Sequence, residues 1–332
     1  MPAPLAPAAG LLATSTLWLG VRLIFSLAIV LGLLVINVLA RVHVRGMTRF
    51  VSSGTAPDSP EELGLLDKVR LLLTGIEVPR PENERDPLDL GLAFESVRVV
   101  TDDDLQLEIW RIPARGSAAG RALLLHGYAA SKEMLLGEAR ELHRLGWESW
   151  LLDFRGSGGS DGDLTTLGWS EARDVAAATA EIPRDLPLVI FGQSMGAVAA
   201  LHAVHLDLVS PDGLILEAPF GELRTTVAAR FDAMGIAVWP LEEMFLWHGS
   251  QVLNVDPDLF TPRHWARSVT CPTLHMTGSR DARVPTASSE KLFESLGGPK
   301  SAFRVEGAGH VPLLGVAPGG WRQRVEAFLA RF

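Results

Sequence analysis

Two serines of the chain lie in the pattern Gly-x-Ser-x-Gly, which can present a hydroxyl as a nucleophile on a tight turn. Ser194 occurs in Gly-Gln-Ser-Met-Gly and Ser160 in Gly-Gly-Ser-Asp-Gly. The pattern is short enough to arise by chance, so its meaning depends on whether a strand precedes the serine and a helix follows it. The residues around the two serines differ in this respect.

Ser194 has both neighbours that the pattern requires. Leu188–Phe191 is a short apolar run typical of a buried strand, and Ala197–Ala203 consists of helix-forming residues. Gly192 and Gly196 lack the Cβ atoms that would clash in a sharp turn. Such a turn would raise the hydroxyl above the edge of the sheet and direct the positive end of the helix toward it.

Ser160 lacks the second half of this arrangement. It is followed by Asp161–Leu167, in which no helix-forming run begins, and the segment Arg155–Gly162 is dense in glycine. This composition is typical of a wide loop after a strand. We therefore expect Ser160 to lie in a loop and Ser194 to be the nucleophile.

A serine hydroxyl becomes an effective nucleophile when a base removes its proton and an acid orients the base. After a serine on such a turn, the acid and then a histidine are expected in the sequence, each just beyond the end of a strand. Asp281 follows a strand-like run that ends near Met276, and His310 follows one that ends near Val305. We predict Asp281 as the acid and His310 as the base, with Glu217 as the alternative acid.

Acyl transfer through a serine also requires N–H donors for the oxyanion that forms. His126 and Gly127 end another strand-like run, and the glycine allows the following backbone to turn toward Ser194. We predict that the backbone N–H groups of Tyr128 and Met195 are the two donors. His126 is then a structural residue of this loop.

Short apolar runs alternate with helix-like stretches from residue 94 onward. The first two runs alternate apolar and polar residues and predict an antiparallel hairpin, while strands separated by helices predict right-handed parallel crossovers. The predicted fold class is α/β, with a mainly parallel sheet of about eight strands and helices on both faces. The predicted strands are 94–100, 105–110, 122–125, 149–153, 188–191, 213–216, 273–276 and 302–305. The predicted helices are 132–145, 167–182, 195–208, 286–296 and 320–331.

The motifs in this part of the chain resemble the α/β-hydrolase superfamily. In order, they are His126-Gly127, Asp153–Ser160, Gly192–Gly196, Glu217–Pro219, Gly278–Asp281 with Val284-Pro285, and Gly309-His310. The chain is similar to the membrane-anchored serine hydrolases related to the BEM46 and ABHD12/13 proteins, and to the serine aminopeptidase-like group. The resemblance implies that a Ser-His-Asp triad cleaves carboxylic esters through an acyl-enzyme, with peptides or thioesters as alternative substrates. It implies no cofactor.

The N-terminal part contains a stretch that is apolar on every face. Leu23–Ala40 carries no charged residue, and as a helix it would be about 27 Å long, close to the thickness of the hydrocarbon core of a bilayer. We predict a transmembrane helix or signal anchor over 23–40, after an N-terminal segment 1–22. A cleaved signal peptide is the alternative, since Val38-Leu39-Ala40 suits cleavage.

The basic residues beside this stretch bear on its orientation. Arg41, Arg45 and Arg49 follow it, whereas Arg22 alone precedes it. Positively charged flanks tend to stay in the cytoplasm, so the pattern favours a cytoplasmic catalytic domain.

The remaining residues divide into a linker and a catalytic domain. Residues 41–93 are predicted to be a linker with a short helix within 61–75, and residues 94–332 the catalytic domain. Within this domain, 220–269 is a cap-like segment that would cover the pocket.

The large apolar side chains of this segment predict that it forms a pocket wall for an acyl chain or lipid. Ordinary packing of helices is the alternative interpretation. The predicted substrate-binding residues are Phe220, Trp239, Phe245 and Trp247.

Composition excludes several other functions. A net charge of −9 makes a nucleic-acid partner improbable, and a single cysteine, Cys271, excludes an internal disulfide and a cysteine-rich metal site. His202 and His205 lack an accompanying carboxylate pattern, so no metal site is predicted.

The expected partners are a small-molecule or lipid ester and, through the N-terminal helix, a membrane. A non-catalytic module that binds a lipid or protein at the membrane is the alternative function.

Overall fold

One mixed sheet forms the centre of the part of the chain that the computed structural model describes, which comprises residues 8–54, 64–233, 235 and 240–332. The strands are β1 (Glu95–Val100), β2 (Gln106–Ile112), β3 (Gly120–Leu125), β4 (Trp147–Leu152), β5 (Leu188–Gln193), β6 (Gly213–Glu217), β7 (Thr273–Gly278) and β8 (Lys300–Val305). Their order is β1-β2-β4-β3-β5-β6-β7-β8. β2 pairs antiparallel with β1 and β4, and all other neighbours are parallel.

Helices flank this sheet and precede it. They are α1 (Ala8–Thr48), α2 (Leu65–Thr74), α3 (Leu136–Arg144), α4 (Glu171–Glu181), α5 (Met195–His205), α6 (Leu223–Ala233), α7 (Leu241–Leu253), α8 (Pro262–Trp265), α9 (Thr286–Ser295), α10 (Leu313–Val316) and α11 (Pro318–Leu329). The predicted strands and the predicted helices of the catalytic domain are present, with ends displaced by a few residues. The predicted fold class is therefore confirmed.

Successive residues of the central strands enter two different cores. Leu123 and Leu125 of β3 pack with α4, α5 and α9, whereas Ala122 and Leu124 pack with α3 and α11 on the opposite face. Side chains of a strand alternate between the faces of a sheet, so a strand covered on both faces must be apolar throughout. This explains why the parallel strands are short continuous apolar runs.

The N-terminal helix is longer than the sequence predicts. α1 continues beyond residue 40 because Arg41–Thr48 contains no proline, and it ends where the Thr48 hydroxyl donates to the Val44 carbonyl at 2.8 Å. Trp18–Thr48 is long and apolar enough to cross a membrane, with a mean hydropathy of 2.8 over its most apolar 18 residues. Side chains of residues 18–42 are exposed or half-buried, whereas Val44 and Thr48 are buried against the domain. The helix therefore extends beyond the predicted span 23–40 at both ends and into the predicted linker that begins at residue 41, while the span itself stays a prediction.

Another helix begins later than predicted. The predicted helix 167–182 starts at Glu171, because Leu167 and Gly168 have φ of 60° and 108°, outside the helical region. The buried carboxylate of Glu171 accepts hydrogen bonds from the hydroxyls of Thr165 and Thr166. These bonds hold the turn that leads into α4.

A buried ion pair ties the loop after β4 to the segment before α3. The side chain of Lys132 is fully buried, and its Nζ donates to Asp153 Oδ2 and, at 2.7 Å, to Glu108 Oε2. Asp153 also accepts the backbone N–H groups of Lys132 and Gly159. Burial opposes ionisation of Asp153, but the charge of Lys132 and the hydrogen bonds that the carboxylate accepts together outweigh this and lower the pKa of the carboxyl group. This cluster could not be predicted from the sequence, because its members are distant in the chain.

We expect Lys132→Met to lower the free energy of unfolding by about 3–5 kcal/mol, because it leaves the Asp153 carboxylate buried without its cation. Denaturant unfolding of the full chain in detergent micelles measures this loss. The matched control is Lys291→Met, which changes an exposed lysine and should stay within about 0.5 kcal/mol of the wild type. Equal unfolding midpoints for Lys132→Met and Lys291→Met would contradict the prediction.

Candidate active site

Ser194 lies on a strained turn between β5 and α5. Its φ of 50° and ψ of −110° are rare for a residue with a side chain. A Cβ at Gly192 would lie 2.6 Å from the backbone nitrogen of Ala197, and a Cβ at Gly196 would overlap the carbonyl oxygens at the end of β3. Both positions therefore require glycine, and the turn brings Ser194 to the carboxyl edge of the sheet.

His310 and Asp281 reach the same edge from the loops after β8 and β7. His310 Nε2 lies 3.0 Å from Ser194 Oγ, and His310 Nδ1 lies 2.7 Å from Asp281 Oδ2. The backbone N–H groups of Arg283 and Val284 donate to Asp281 Oδ1, both at 2.8 Å. The structure thus brings together the three residues that the sequence predicts as nucleophile, base and acid.

Glu217, the alternative acid, has different partners. Its Oε1 accepts from Gln193 Nε2 at 2.9 Å and from the backbone N–H of Leu313 at 3.1 Å, and its backbone carbonyl accepts from the Ser194 N–H at 2.7 Å. Burial raises the pKa of the Glu217 carboxyl group. Asp281, and not Glu217, holds the hydrogen bond to His310.

The two residues predicted to supply oxyanion donors lie beside Ser194. Met195 is the first residue of α5, where a backbone N–H has no acceptor within the helix. A Cβ built on Gly127, the residue before Tyr128, would lie 3.7 Å from Ser194 Cβ. The Tyr128 hydroxyl donates to the Met47 carbonyl of α1 at 2.7 Å, and burial raises its pKa to about 12. The loop after β3 is therefore fixed to the N-terminal helix.

The other histidine and serine singled out in the sequence have structural partners. His126 is buried, its Nε2 accepts from the Phe154 N–H at 3.1 Å, and burial lowers its pKa. Ser160 Oγ accepts from the Glu108 N–H at 2.9 Å and donates to the Asp153 carbonyl at 2.6 Å. Ser160 is buried in a loop, so its hydroxyl is not available as a nucleophile.

A cavity adjoins Ser194 and His310 and is lined mainly by apolar side chains. It encloses about 1040 Å³, including its opening to solvent. Phe220 and Phe245, two of the four residues predicted to bind substrate, lie in its wall. Further lining residues are Tyr128, Leu167, Met195, Leu223, Thr226, Val227, Arg230, Leu246, Gly249, Ser250, Leu253, Val255, Pro257, Phe260, Arg283 and Val284.

The prediction for Trp247 is corrected by its position on α7. Phe245, Leu246 and Gly249 face the cavity, and in a helix the residue two positions after Phe245 points to the other side. The Trp247 side chain is exposed and contacts the ring of its neighbour His248 edge to face. Trp239 lies outside the described residues.

The sequence interpretation missed that α1 forms part of the cavity wall. Val44, Met47 and Thr48 line it, and they recur at the i, i+3, i+4 spacing of one helix face. That pattern follows directly after the apolar stretch and could have indicated that the helix continues into the domain. The N-terminal helix is therefore both long and apolar enough to cross a membrane and a wall of the site.

Comparisons with known proteins agree with this fold. The chain matches the protein-family model described as serine aminopeptidase, S33, over residues 116–257, a range that contains Ser194. A Pyrococcus furiosus esterase, PF2001, superposes with a TM-score of 0.65 at 24% sequence identity, covering 76% of this chain and 97% of that chain.

Two relatives illustrate the similarity in sequence. A membrane protein of Saccharomyces cerevisiae, YNL320W, is 23% identical over 212 residues, which cover 63% of this chain and 70% of the yeast protein. The lysophosphatidylserine lipase ABHD12 of Macaca fascicularis is 27% identical over 206 residues, which cover 59% of this chain and 50% of the lipase. The chain thus spans half the length of that lipase. With the strand order of the sheet and the turn at Ser194, these matches show that the chain has the α/β-hydrolase fold, and they support its membership of the α/β-hydrolase superfamily.

Proposed function

We propose that the chain is a membrane-anchored serine hydrolase that cleaves the carboxylic esters of acyl lipids. The observation that carries this proposal is the pair of contacts of one imidazole, 3.0 Å from Ser194 Oγ on one side and 2.7 Å from Asp281 Oδ2 on the other. An imidazole held in this way can take the proton of the serine hydroxyl and keep the resulting charge beside a carboxylate. Residues 94–332 are the proposed catalytic domain, and 220–269, which contains α6, α7 and α8, its cap.

In the proposed reaction, Ser194 Oγ attacks the ester carbonyl carbon while its proton passes to His310 Nε2. The N–H groups of Met195 and Tyr128 stabilise the oxyanion of the tetrahedral intermediate. The intermediate collapses, His310 gives the proton to the leaving alcohol, and the acyl group remains on Ser194. Water, deprotonated by His310, then attacks the acyl-enzyme and releases the carboxylic acid.

The cavity supports an acyl chain as the group that the site binds. Its lining is mainly apolar, which favours burial of methylene groups at about 0.8 kcal/mol each. α1 and α7 both contribute to the wall, so the cavity adjoins the helix proposed to span the membrane. A relative named as a lysophosphatidylserine lipase adds support for a lipid ester.

A fluorophosphonate probe tests the proposed hydrolase directly, because it reacts with an activated serine. We expect the full chain in detergent to be labelled, and mass spectrometry of its peptides to place the label on Ser194 and not on Ser160. A folded protein that takes up no label would support the non-catalytic alternative, a module that binds lipid or protein. Label on another serine would remove Ser194 as the nucleophile.

A peptidase is the second candidate, because the matching family model is described as serine aminopeptidase. The same triad would cleave an amide, so the probe does not separate the two activities. The two activities are distinguished by measuring the hydrolysis of p-nitrophenyl esters and of amino-acid p-nitroanilides with the same preparation. We expect ester turnover to dominate, and faster release of p-nitroaniline would favour the peptidase.

Filling the cavity should shorten the acyl chains that the enzyme accepts. Gly249 of α7 lines the cavity, and a Cβ there would meet no atom within 4 Å. Gly249→Leu should therefore fold, while its side chain displaces the end of a long substrate. Loss of two methylene contacts corresponds to about a tenfold fall in kcat/KM for octanoyl esters, with acetyl esters little changed. Gly249→Ala is the control, and an identical chain-length profile for both variants would contradict the prediction.

A further inference from the structure

α2 and α7 contact α1 at the point where α1 enters the domain. A ring nitrogen of His43 lies 3.1 Å from the Leu71 carbonyl oxygen of α2, and a Cβ at Gly46 would overlap the Ile76 carbonyl just after α2. On α7, the His248 ring lies near the Asn37 backbone and Arg41. α2 and α7 therefore contact α1 over residues 37–46.

This level coincides with the expected boundary of a bilayer. If 23–40 occupies the hydrocarbon core, His43 lies about 4.5 Å beyond it at 1.5 Å per residue. The headgroup regions add about 5–7 Å on each side of the core. α2 and the neighbouring part of α7 would therefore lie among the lipid headgroups.

α2 and α7 expose large apolar side chains at this level. Leu66, Val69, Leu72 and Leu73 of α2 are all exposed, Leu73 by 61%, and Trp247 of α7 is exposed by 56%. We call these five residues the collar. An amphipathic helix with an exposed aliphatic face and an indole nearby are typical of the membrane interface.

Basic side chains accompany the collar. Arg41 and Arg45 of α1 and Arg70 of α2 are exposed, although the chain as a whole carries a net charge of −9. Basic residues next to a membrane helix are attracted to anionic lipid headgroups by about 1 kcal/mol each. The charge of this region is therefore complementary to an anionic bilayer surface.

We propose that the collar is a second membrane contact, which rests in the headgroup layer of an anionic bilayer and holds the domain against it. The inference rests on the proposed insertion of α1. The collar lies on α2 and α7, which contact α1, and both α1 and α7 line the cavity. Membrane contact at the collar thus places the cavity beside the lipid layer, so that an acyl ester enters it from the bilayer and not through water.

The test uses the full chain in lipid nanodiscs with an environment-sensitive fluorophore on single cysteines. In a Cys271→Ser background, the labelled positions are Leu73→Cys in the collar, Ile29→Cys within α1, and Leu206→Cys as a control. Leu206 is also an exposed leucine, but it lies after α5, whose other end carries Ser194. We expect labels at 29 and 73 to be quenched several-fold more strongly by spin-labelled lipids than the label at 206.

The possible outcomes distinguish a failure of the collar from a failure of the proposed membrane anchor and of the proposed hydrolase. Quenching at 29 but solvent-like emission at both 73 and 206 would overturn the collar and leave the anchor intact. Absence of quenching at 29 would overturn the anchor and the collar together, while fluorophosphonate labelling of Ser194 would still report on the hydrolase.

The lipid charge is tested by comparing nanodiscs of phosphatidylcholine alone with nanodiscs that also contain phosphatidylserine. Quenching at position 73 should increase with phosphatidylserine, and the double variant Arg45→Gln, Arg70→Gln, which removes two of the three arginines, should reduce the increase. Equal quenching in both lipid compositions would overturn the preference for an anionic surface.

Discussion

Replacing Ser194 with alanine is expected to lower kcat for ester hydrolysis by about 10⁴- to 10⁶-fold and to leave the fold intact. The variant removes the one hydroxyl that faces His310 Nε2 at 3.0 Å, and no other nucleophile takes its place. Its Cβ stays, so the turn between β5 and α5 keeps its packing. Steady-state kinetics with a p-nitrophenyl ester measure the loss, and circular dichroism shows that the protein remains folded.

Ser160→Ala is the matched control, because Ser160 stands in the other Gly-x-Ser-x-Gly sequence. Its hydroxyl bonds to the backbone of Glu108 and Asp153, so its loss should cost about 1–2 kcal/mol of stability. Its kcat should remain within about twofold of the wild type, since its hydroxyl is remote from the reacting atoms. If the Ser160→Ala variant were folded but inactive, and the Ser194→Ala variant were active, Ser160 would be the nucleophile instead of Ser194.

The sheet and the position of the site could be predicted from the sequence because both follow from local patterns. Each parallel strand is a short apolar run, and each crossover is a stretch with helical periodicity. Parallel strands place their following loops at one edge, so residues after β5, β7 and β8 had to converge there. From the sequence alone, Ser194, Asp281 and His310 could therefore be expected at one edge of the sheet.

The wall of the cavity could not be predicted in the same way. It depends on how α1 and α7 pack. The spacing of Val44, Met47 and Thr48 marks a buried face of α1, but no local pattern shows which distant element covers that face. Trp247 illustrates the limit: its type suits an apolar pocket, but its place on the helix turns it away from Phe245 and Gly249. The buried Lys132 is a second case, since only the fold brings it to Asp153.

The second large effect is expected for Asp281→Asn, which should lower kcat by about 10⁴-fold. The N–H groups of Arg283 and Val284 donate to Asp281 Oδ1, and in the variant they will hold the amide oxygen at that position. The amide NH₂ must then face His310 Nδ1, which can no longer donate and becomes the acceptor. The imidazole proton therefore moves to Nε2, where it blocks the transfer of the proton from Ser194.

Glu217→Gln provides the matched control, because Glu217 is the other carboxyl group that follows a strand near the site. Its Oε1 accepts from Gln193 and Leu313, and an amide oxygen can accept the same two bonds. Burial disfavours the charged form of Glu217 and raises its pKa, so an uncharged amide suits the same buried position. We expect kcat/KM within about tenfold of the wild type for Glu217→Gln, compared with a loss of about 10⁴ for Asp281→Asn. The opposite ranking, measured on the same ester with both variants folded, would make Glu217 the residue that orients His310.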